Sequence, residues 1–468
     1  MKYTAKADAP NILLITIDAL RRDHLGCYGY NRNTSPNIDA LANRGMQFTE
    51  AISNGGFTAS SFPAIMASAL PPLEKFGGKT ILENNITIAE IFKETGYHTA
   101  AFHCNPLLSH FYGYQKGFDT FDDSFQRLNR WRVRMWIRRK AHLLGRSMAR
   151  VVHIVSLIMQ PLLSRALPRP IISAEEITGK SLQWLGSTPD NFFLWLHYMD
   201  VHEPYLPTKK YLRRFSGKPV KSKRMMSLSE KMYKQPGKMS AEDTKTLIDL
   251  YDADINYTDE KIGILLEKMG DRLKNTIVVI TADHGDEFGE HGGFGHRTLY
   301  DNLLRVPLIV AGPGINMGIM VKGQAGLIDL SPTILEMVGI KKPGTFLGKS
   351  LWPSICSGQV VGEEGVISTV VNDRLRQRRI SYRMPEWKYI RNELLSGGFL
   401  SEEIYFLAND RGETNNLHGV GNEEADKFEW EARKKISQFK QLATEGRTAY
   451  EKAAVKAKMK RLKKSGRI

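Results

Sequence analysis

The sequence predicts an α/β fold: a doubly wound, mostly parallel central sheet with helices on both faces, followed by a small antiparallel β subdomain. Two observations carry this. Short apolar runs of strand length alternate with amphipathic helical stretches over most of the chain, the pattern of a parallel sheet covered by its own crossovers. After Gly365 the runs shorten and follow one another without helices between them. With 468 residues and 42% hydrophobic residues, the chain has enough apolar material for one or two domains, which excludes global disorder.

In chain order, Asn11–Ile17 reads as a buried strand, and Ser35-Pro36 opens a helix with a capping residue and a proline at its first position. Residues 87–95 form an amphipathic helix that ends at Gly96, followed by a strand over 99–102. A stretch over 131–170, rich in arginine and tryptophan, interrupts the rhythm as an inserted helical pair. Alternation resumes with a helix over 175–185, a strand over Phe192–Tyr198, a basic loop, a helix over 241–270 and a strand over 276–280. A strand over 306–311 and a helix capped by Asp329 come next, then short strands over 366–370, 380–383 and 387–390, and a charged helix from Glu424. The predicted organisation is a catalytic domain over 9–364, with a basic insertion at about 127–172 and a basic loop at about 208–240. A β subdomain over 365–422 and a charged helix with a basic tail over 423–468 complete it.

Three cysteines, Cys27, Cys104 and Cys356, are too few for a disulfide framework and form no Cys-x-x-Cys pair. The first nine residues lack the features of a secretory signal, and the apolar run that follows is too short to span a bilayer. The expectation is a cytoplasmic location, with peripheral attachment to the inner face of the membrane as an extension of it. The net charge of +16 is clustered: no Asp or Glu lies between Asp123 and Glu175, and further basic stretches run over 209–238 and 452–468. Such clusters point to a polyanionic partner. Residues 131–170 read either as an interfacial helix on an anionic membrane or as an insertion packed on the catalytic domain. No nucleic-acid motif accompanies the charge, so no specific nucleic acid is expected.

Ligands of doubly wound sheets bind beyond the carboxyl ends of the strands. Asp18, the pair Asp200 and His202, and the pair Asp283 and His284 all follow apolar runs. Any one aspartate there can simply cap the next helix; three strand ends supplying such groups point to a divalent cation, since carboxylate oxygen and imidazole nitrogen suit one. Asp286, Glu287 and Glu290 read as a solvated acidic loop, and His197 and His291 as structural histidines.

Longer segments add a family resemblance. Asn11-Ile-Leu-Leu-Ile-Thr-Ile-Asp18-Ala-Leu-Arg-Arg-Asp23-His-Leu-Gly-Cys-Tyr-Gly29 resembles the opening motif of sulfatases and their phosphatase relatives in the alkaline-phosphatase superfamily. Ser35 to Gly45 is similar to the next helix of that family. Thr281-Ala-Asp-His-Gly285, with Gly295-His296-Arg-Thr-Leu-Tyr300-Asp-Asn-Leu-Leu-Arg305-Val-Pro307, resembles its metal- and anion-binding segment, and Glu403 to Leu417 its C-terminal signature. The resemblance implies an alkaline-phosphatase-like fold and one or two divalent ions (Ca, Mn, Mg or Zn). It also implies Asp18, Asp283 and His284 as metal ligands, and a nucleophile that also touches the metal at Thr58.

Sulfatases carry Cys-x-Pro-Ser-x-Arg-like spacing at that point, with the cysteine converted to formylglycine. Here Thr58, Ser60, Ser61 and Pro63 stand in those positions. Ala19 replaces the second Asp of an Asp-Asp pair, Asp-His replaces Asp-Asn, and Cys104 and Asn105 stand where a lysine is expected. A formylglycine hydrate expels sulfate by collapsing to the aldehyde, whereas a threonine ester must be attacked by water or another acceptor. These departures favour phosphoesters, with Thr58 as nucleophile and His202 or His296 assisting the leaving group. Asn105 is either a donor to a substrate oxygen or a plain loop residue. His202 and His296 either join Asp200 in a second metal site or act as cationic donors to the substrate anion. The expected substrate is an anionic ester, glycan- or lipid-linked. The alternatives are a sulfatase without formylglycine and an inactive polyanion-binding protein.

Overall fold

The computed structural model describes residues 9–73, 82, 85–124, 172–362, 364–372 and 375–464, with side chains as far as residue 445. Most of the basic insertion, including the whole of 131–170, lies outside the described residues, as do residues 465–468 of the tail. Among the described residues no helix is long and apolar enough to cross a membrane.

The strands are β1 (Asn11–Ile17), β2 (Met46–Ile52), β3 (His98–Phe102), β4 (Thr120–Asp122), β5 (Phe192–Tyr198), β6 (Thr276–Ala282), β7 (Glu287–Phe288) and β8 (Phe294–Gly295). They continue with β9 (Arg305–Val306), β10 (Leu308–Ala311), β11 (Ile319–Gly326), β12 (Val366–Asn372), β13 (Gln377–Arg383), β14 (Trp387–Leu394) and β15 (Phe399–Phe406). The helices used below are α1 (Pro36–Asn43), α2 (Thr58–Ala67), α3 (Ile88–Glu94), α4 (Ala174–Ser187), α5 (Ser222–Lys234), α6 (Ala241–Met269), α7 (Leu330–Met337) and α8 (Glu423–Lys464).

The main sheet has the order β11-β2-β10-β6-β1-β5-β3-β4, with β9 paired to β2. It is mixed and mostly parallel, as expected: β1 is parallel to both β5 and β6, and β3 to β5 and β4. Burial on both faces explains why β1, β5 and β6 are apolar almost without interruption. The register decides where function sits. Ile17 lies opposite Tyr198 and Ala282, so the residues after β1, β5 and β6 leave the sheet side by side. Phe102 pairs with Leu196, which brings the turn after β3 to the same edge.

Several local expectations are corrected. The run over 306–311 is two pieces, since Pro307 has no N–H for a ladder; β9 pairs with β2, and β10 lies antiparallel between β2 and β6. Ser35 precedes α1 but does not cap it: its hydroxyl accepts from the Gly26 N–H and donates to Asp39. The Asp329 carboxylate likewise accepts from the Gly326 and Lys349 N–H groups rather than from α7. The basic loop over 208–240 contains α5. Helix α3 does carry a reciprocal cap between Thr87 and Glu90.

The C-terminal part is a four-stranded antiparallel sheet, β12-β13-β14-β15, of which β15 was not anticipated. Helix α8 packs on it through Ala425, Phe428, Ala432, Ile436 and Phe439, against Ile380, Tyr382, Tyr389 and Ile404. The spacing of three, four, four and three residues is one stripe of a helix. Each large side chain buried in that seam stabilises by roughly 1.5–3 kcal/mol.

Candidate active site

Most of the site is built where strands end. After β1, Asp18 is fully buried and Ala19 adopts φ 57°, a left-handed conformation costly to a residue with a Cβ. Tyr251 of α6 holds that turn, donating to the Ala19 carbonyl and accepting from the Arg21 N–H, each at 2.7 Å. After β6, Asp283 and His284 are equally buried. The His284 Nδ1 donates to the Gly285 carbonyl at 2.8 Å, which leaves Nε2 with its lone pair facing the two carboxylates.

Nε2 of His284 stands 3.6 Å from Asp18 Oδ1 and 3.6 Å from Asp283 Oδ2. These three atoms are buried, and none has a hydrogen-bond partner. Three convergent orphans of this kind fit a divalent cation, because two donor atoms each about 2.0–2.4 Å from one ion stand about 3–4 Å apart. The electrostatics agree. Burial raises the Asp283 carboxyl, and the neighbouring Asp18 charge raises it further. Burial works against Asp18 as well, but His202, His197 and His284 hold it well below the usual carboxylate range. Two carboxylates facing one another in a dry site call for a cation between them.

Thr58 is the first residue of α2. Its hydroxyl donates to Asp18 Oδ2 at 3.4 Å. The approach is tight: a Cβ on Gly55 would lie 2.4 Å from that of Ser60, so only glycine lets the chain turn into α2 there. The amide of Asn105, just after β3, donates to Asp18 Oδ2 at 2.8 Å and reaches Thr58 Oγ1 at 3.5 Å. It is therefore no plain loop residue. Cys104 beside it is buried, its thiol pushed up to about 12 by that burial, and it faces the Ile172 carbonyl.

His197 is part of the site, although the sequence reading set it aside as structural. Its Nε2 lies 3.3 Å from Asp18 Oδ2, and its Nδ1 lies 2.9 Å from Thr16 Oγ1. Trp195 Nε1 donates to that same Thr16 oxygen at 3.0 Å. The Thr16 hydroxyl also reaches the Leu196 carbonyl at 3.3 Å; in its Nε2–H tautomer the imidazole donates to Asp18. The available signal was a histidine inside an otherwise apolar strand. His291 is structural as read, bonded to Glu287 and the Gly412 carbonyl.

His202 and His296 come together, their ring centroids 5.0 Å apart, and His296 stacks on His284 at 4.8 Å. Asp200 is buried but does not join their donor cluster; Glu203 does, with an oxygen 3.3 Å from His202 Nδ1 and 3.6 Å from His296 Nδ1. Its adjacency to His202 was the only sequence signal. Asp286 and Glu287, expected in solvent, are buried, and an Asp286 oxygen lies 3.7 Å from His296 Nδ1. Burial alone lowers the His296 imidazole, but Glu203 and Asp286 outweigh it and lift it to about 10. His202 is also raised, with burial opposed by Glu203 and Asp18. Tyr233 of α5 donates to the other Glu203 oxygen, so the basic segment reaches the site.

The sequence profile of the family described as Sulfatase matches residues 10–340, and that described as N-sulphoglucosamine sulphohydrolase, C-terminal, matches residues 289–441. Arylsulfatase K of Bos taurus is 24% identical over 455 residues, covering 88% of this chain and 78% of its own. A protein solved in complex with its substrate D-glucosamine-2-N,6-O-disulfate superposes with a TM-score of 0.70 at 18% identity, covering 93% of this chain and 98% of its own. Phosphonate monoester hydrolase of Agrobacterium radiobacter gives 0.67 at 18% identity, covering 93% and 97%. The structural likenesses establish the alkaline-phosphatase-like fold, and the profile match extends over more than half of the sequence. The chain belongs to the sulfatase family.

Proposed function

We propose that this protein is a metal-dependent hydrolase or transferase of an anionic ester, with Thr58 as its nucleophile and phosphoesters as its preferred substrates. The observation that carries the reading is the Thr58 hydroxyl, bonded to Asp18 and Asn105 beside three orphaned cation ligands. A divalent ion held by Asp18, Asp283 and His284 supplies Lewis acidity and favours the alkoxide form of a neighbouring hydroxyl.

The protein's own groups then divide the work. Thr58 gives its proton to solvent water, and its oxygen bonds to the phosphorus as the bond to the leaving oxygen breaks. His202 or His296 delivers a proton to that leaving oxygen. Water or an acceptor hydroxyl next attacks the phosphorus, passing its proton to the histidine that gave one up, and Thr58 departs and regains a proton from solvent. Asn105 holds Asp18 and Thr58 in register, and the α2 N-terminus favours negative charge at the reacting group.

Sulfate-ester hydrolysis is the second reading, favoured by the family itself and by the disulfated sugar bound to the solved relative. Metal-loaded protein assayed on aryl phosphate, phosphodiester, phosphonate monoester and aryl sulfate separates the two. Phosphorus esters turned over faster than sulfate are expected, with Thr58→Ala reducing turnover by at least about a thousandfold. Turnover of sulfate alone would reverse the preference, and full activity in Thr58→Ala would remove the nucleophile.

A further inference from the structure

In the loop after β15, Glu413 is buried and adopts φ 52°, a left-handed conformation costly to a residue with a Cβ. Asp410 builds the turn that imposes it. Its carboxylate accepts from the N–H groups of Thr414 and Asn415, each at 2.9 Å, and its carbonyl accepts from the Glu413 N–H at 3.1 Å. Glycine or asparagine would hold such a turn with less strain. What glutamate adds is reach. Its Oε2 accepts from the Asp301 N–H, and its Oε1 stands 2.8 Å from Lys388 Nζ.

Asp301 opens the helical turn Asp301–Leu304, and the carbonyls of that turn lead into the active site. The Leu303 carbonyl accepts from the Gly285 N–H at 2.7 Å, and the Gly285 carbonyl in turn accepts from His284 Nδ1 at 2.8 Å. The Leu304 carbonyl accepts from the Ser53 N–H at 2.7 Å, and the Ser53 hydroxyl donates to the Asp283 carbonyl. The packing leaves no slack, since a Cβ on Gly285 would lie 2.0 Å from the Asn302 carbonyl oxygen. The same loop grips the segment from its other side: the Gly412 carbonyl accepts from His291 Nε2 at 2.9 Å, and the His291 ring stacks on Tyr300 at 3.5 Å. A continuous set of bonds therefore runs from Glu413 to both residues of the Asp283–His284 pair.

We propose that Glu413 is a positioning residue for the ion site. By tying down the Asp301 N–H it fixes the turn from which the backbone of Asp283 and His284 hangs, so the small sheet completes the active site rather than standing beside it. The proposal deepens the function proposed above and rests on it for the ion held by Asp18, Asp283 and His284. The Asp301 N–H is one of the donors that a helical turn leaves unpaired at its start, and losing its acceptor frees the turn to shift. Such a shift reaches the ligands through the Gly285 and Ser53 bonds; Lys388 keeps Asp301 as its partner throughout.

Manganese titrated calorimetrically into chelator-stripped, full-length protein is the test. Glu413→Ala removes the acceptor and Glu413→Asp withdraws it by one methylene, whereas Glu413→Gln keeps an oxygen for the Asp301 N–H and drops the charge. Manganese is expected to bind roughly tenfold more weakly to Glu413→Ala and Glu413→Asp, and within about threefold of wild type to Glu413→Gln. A merely structural contribution would lower the melting temperature of the metal-free protein and leave the affinity of the folded protein unchanged. That result overturns the proposal, and so does Glu413→Gln binding as weakly as Glu413→Ala. Where Glu413→Ala does not fold, the contrast between Glu413→Asp and Glu413→Gln decides. Wild-type protein that binds no manganese sinks the ion site and this role with it; wild-type binding that Glu413→Ala leaves unaffected sinks the role alone.

Discussion

At the scale of residues, Asp18 gathers the site. One of its oxygens faces the cation position, and the other accepts from Asn105, with Thr58 and His197 close by. His197 bears on the site through Asp18, with Thr16 on its other ring nitrogen and Trp195 bonded to Thr16. Removing an outer partner of this kind typically costs 10–100-fold in metal affinity. His197→Ala is therefore expected to weaken binding of the ion about 10–100-fold by calorimetric titration, and unchanged affinity would show that Asp18 needs no such support. Asn105→Ala is expected to lower kcat about a hundredfold with KM changed less, because its amide aligns the nucleophile rather than binding the whole substrate. Steady-state kinetics on an aryl phosphodiester would show the split.

Helix α6 illustrates how one element carries its sequence logic into the site. Ser240 and Asp243 form a reciprocal cap at its N-terminus. The Asp243 carboxylate also pairs with Arg224 and Lys231, which belong to α5. Three residues after Lys231, on the same helix, Lys234 closes α5, with Tyr233 just before it directed at Glu203. A cap thus anchors the helix whose Tyr233 holds Glu203 beside His202 and His296. Ser240→Ala is expected to cost about 1 kcal/mol in chemical denaturation. Asp243→Asn removes the charge that pins α5, so KM should rise more than kcat falls; kinetics unchanged in this variant would mean that α5 holds its place without the ion pairs.

For the molecule as a whole, buried charge ties the small sheet to the catalytic sheet. Arg383 of β13 bonds Asp301 at 2.8 Å and Glu50 at 3.0 Å, while Lys388 of β14 bridges Asp301 and Glu413. Arg383→Met removes one buried partner each from Asp301 and Glu50, which keep Lys388 and Arg305, and is expected to cost about 3 kcal/mol, the lower end for a broken buried pair, read from denaturation midpoints. Glu393 of β14 makes the corresponding link to α8. Burial raises its carboxyl, but Lys440, Arg391 and Arg378 outweigh that and bring it to about 2 from an ordinary 4.5. A depressed carboxyl contributes stability that is present above its unfolded value and lost as pH falls through its folded one. The melting-temperature advantage of wild type over Glu393→Gln should therefore shrink between about pH 4.5 and 2. A constant difference across that window would remove Glu393 from the acid response.

The sequence by itself determined the α/β class, the strands that hold the site and the residues on their ends. Those features are local: β1, β5 and β6 are apolar because both faces are buried, Asp18 and the pair Asp283 and His284 follow directly, and His202 lies in the turn after β5. Thr58 was legible from its motif, and its departure from cysteine is a matter of covalent chemistry that needs no fold. The tertiary structure decided the partners. Parallel register alone sets Thr16 beside His197, hundreds of atoms away along the chain, and makes that histidine part of the site. The choice of Glu203 over Asp200 depends on which way a turn points two nearby side chains, and no periodicity encodes that. Asp301 and Arg305, within a segment that resembles an anion-binding motif, pair with Arg383 and Glu50 because the small sheet arrives from far along the sequence. Strand identity follows from burial, which each residue carries in its own chemistry; site identity follows from register and docking, which belong to the folded chain.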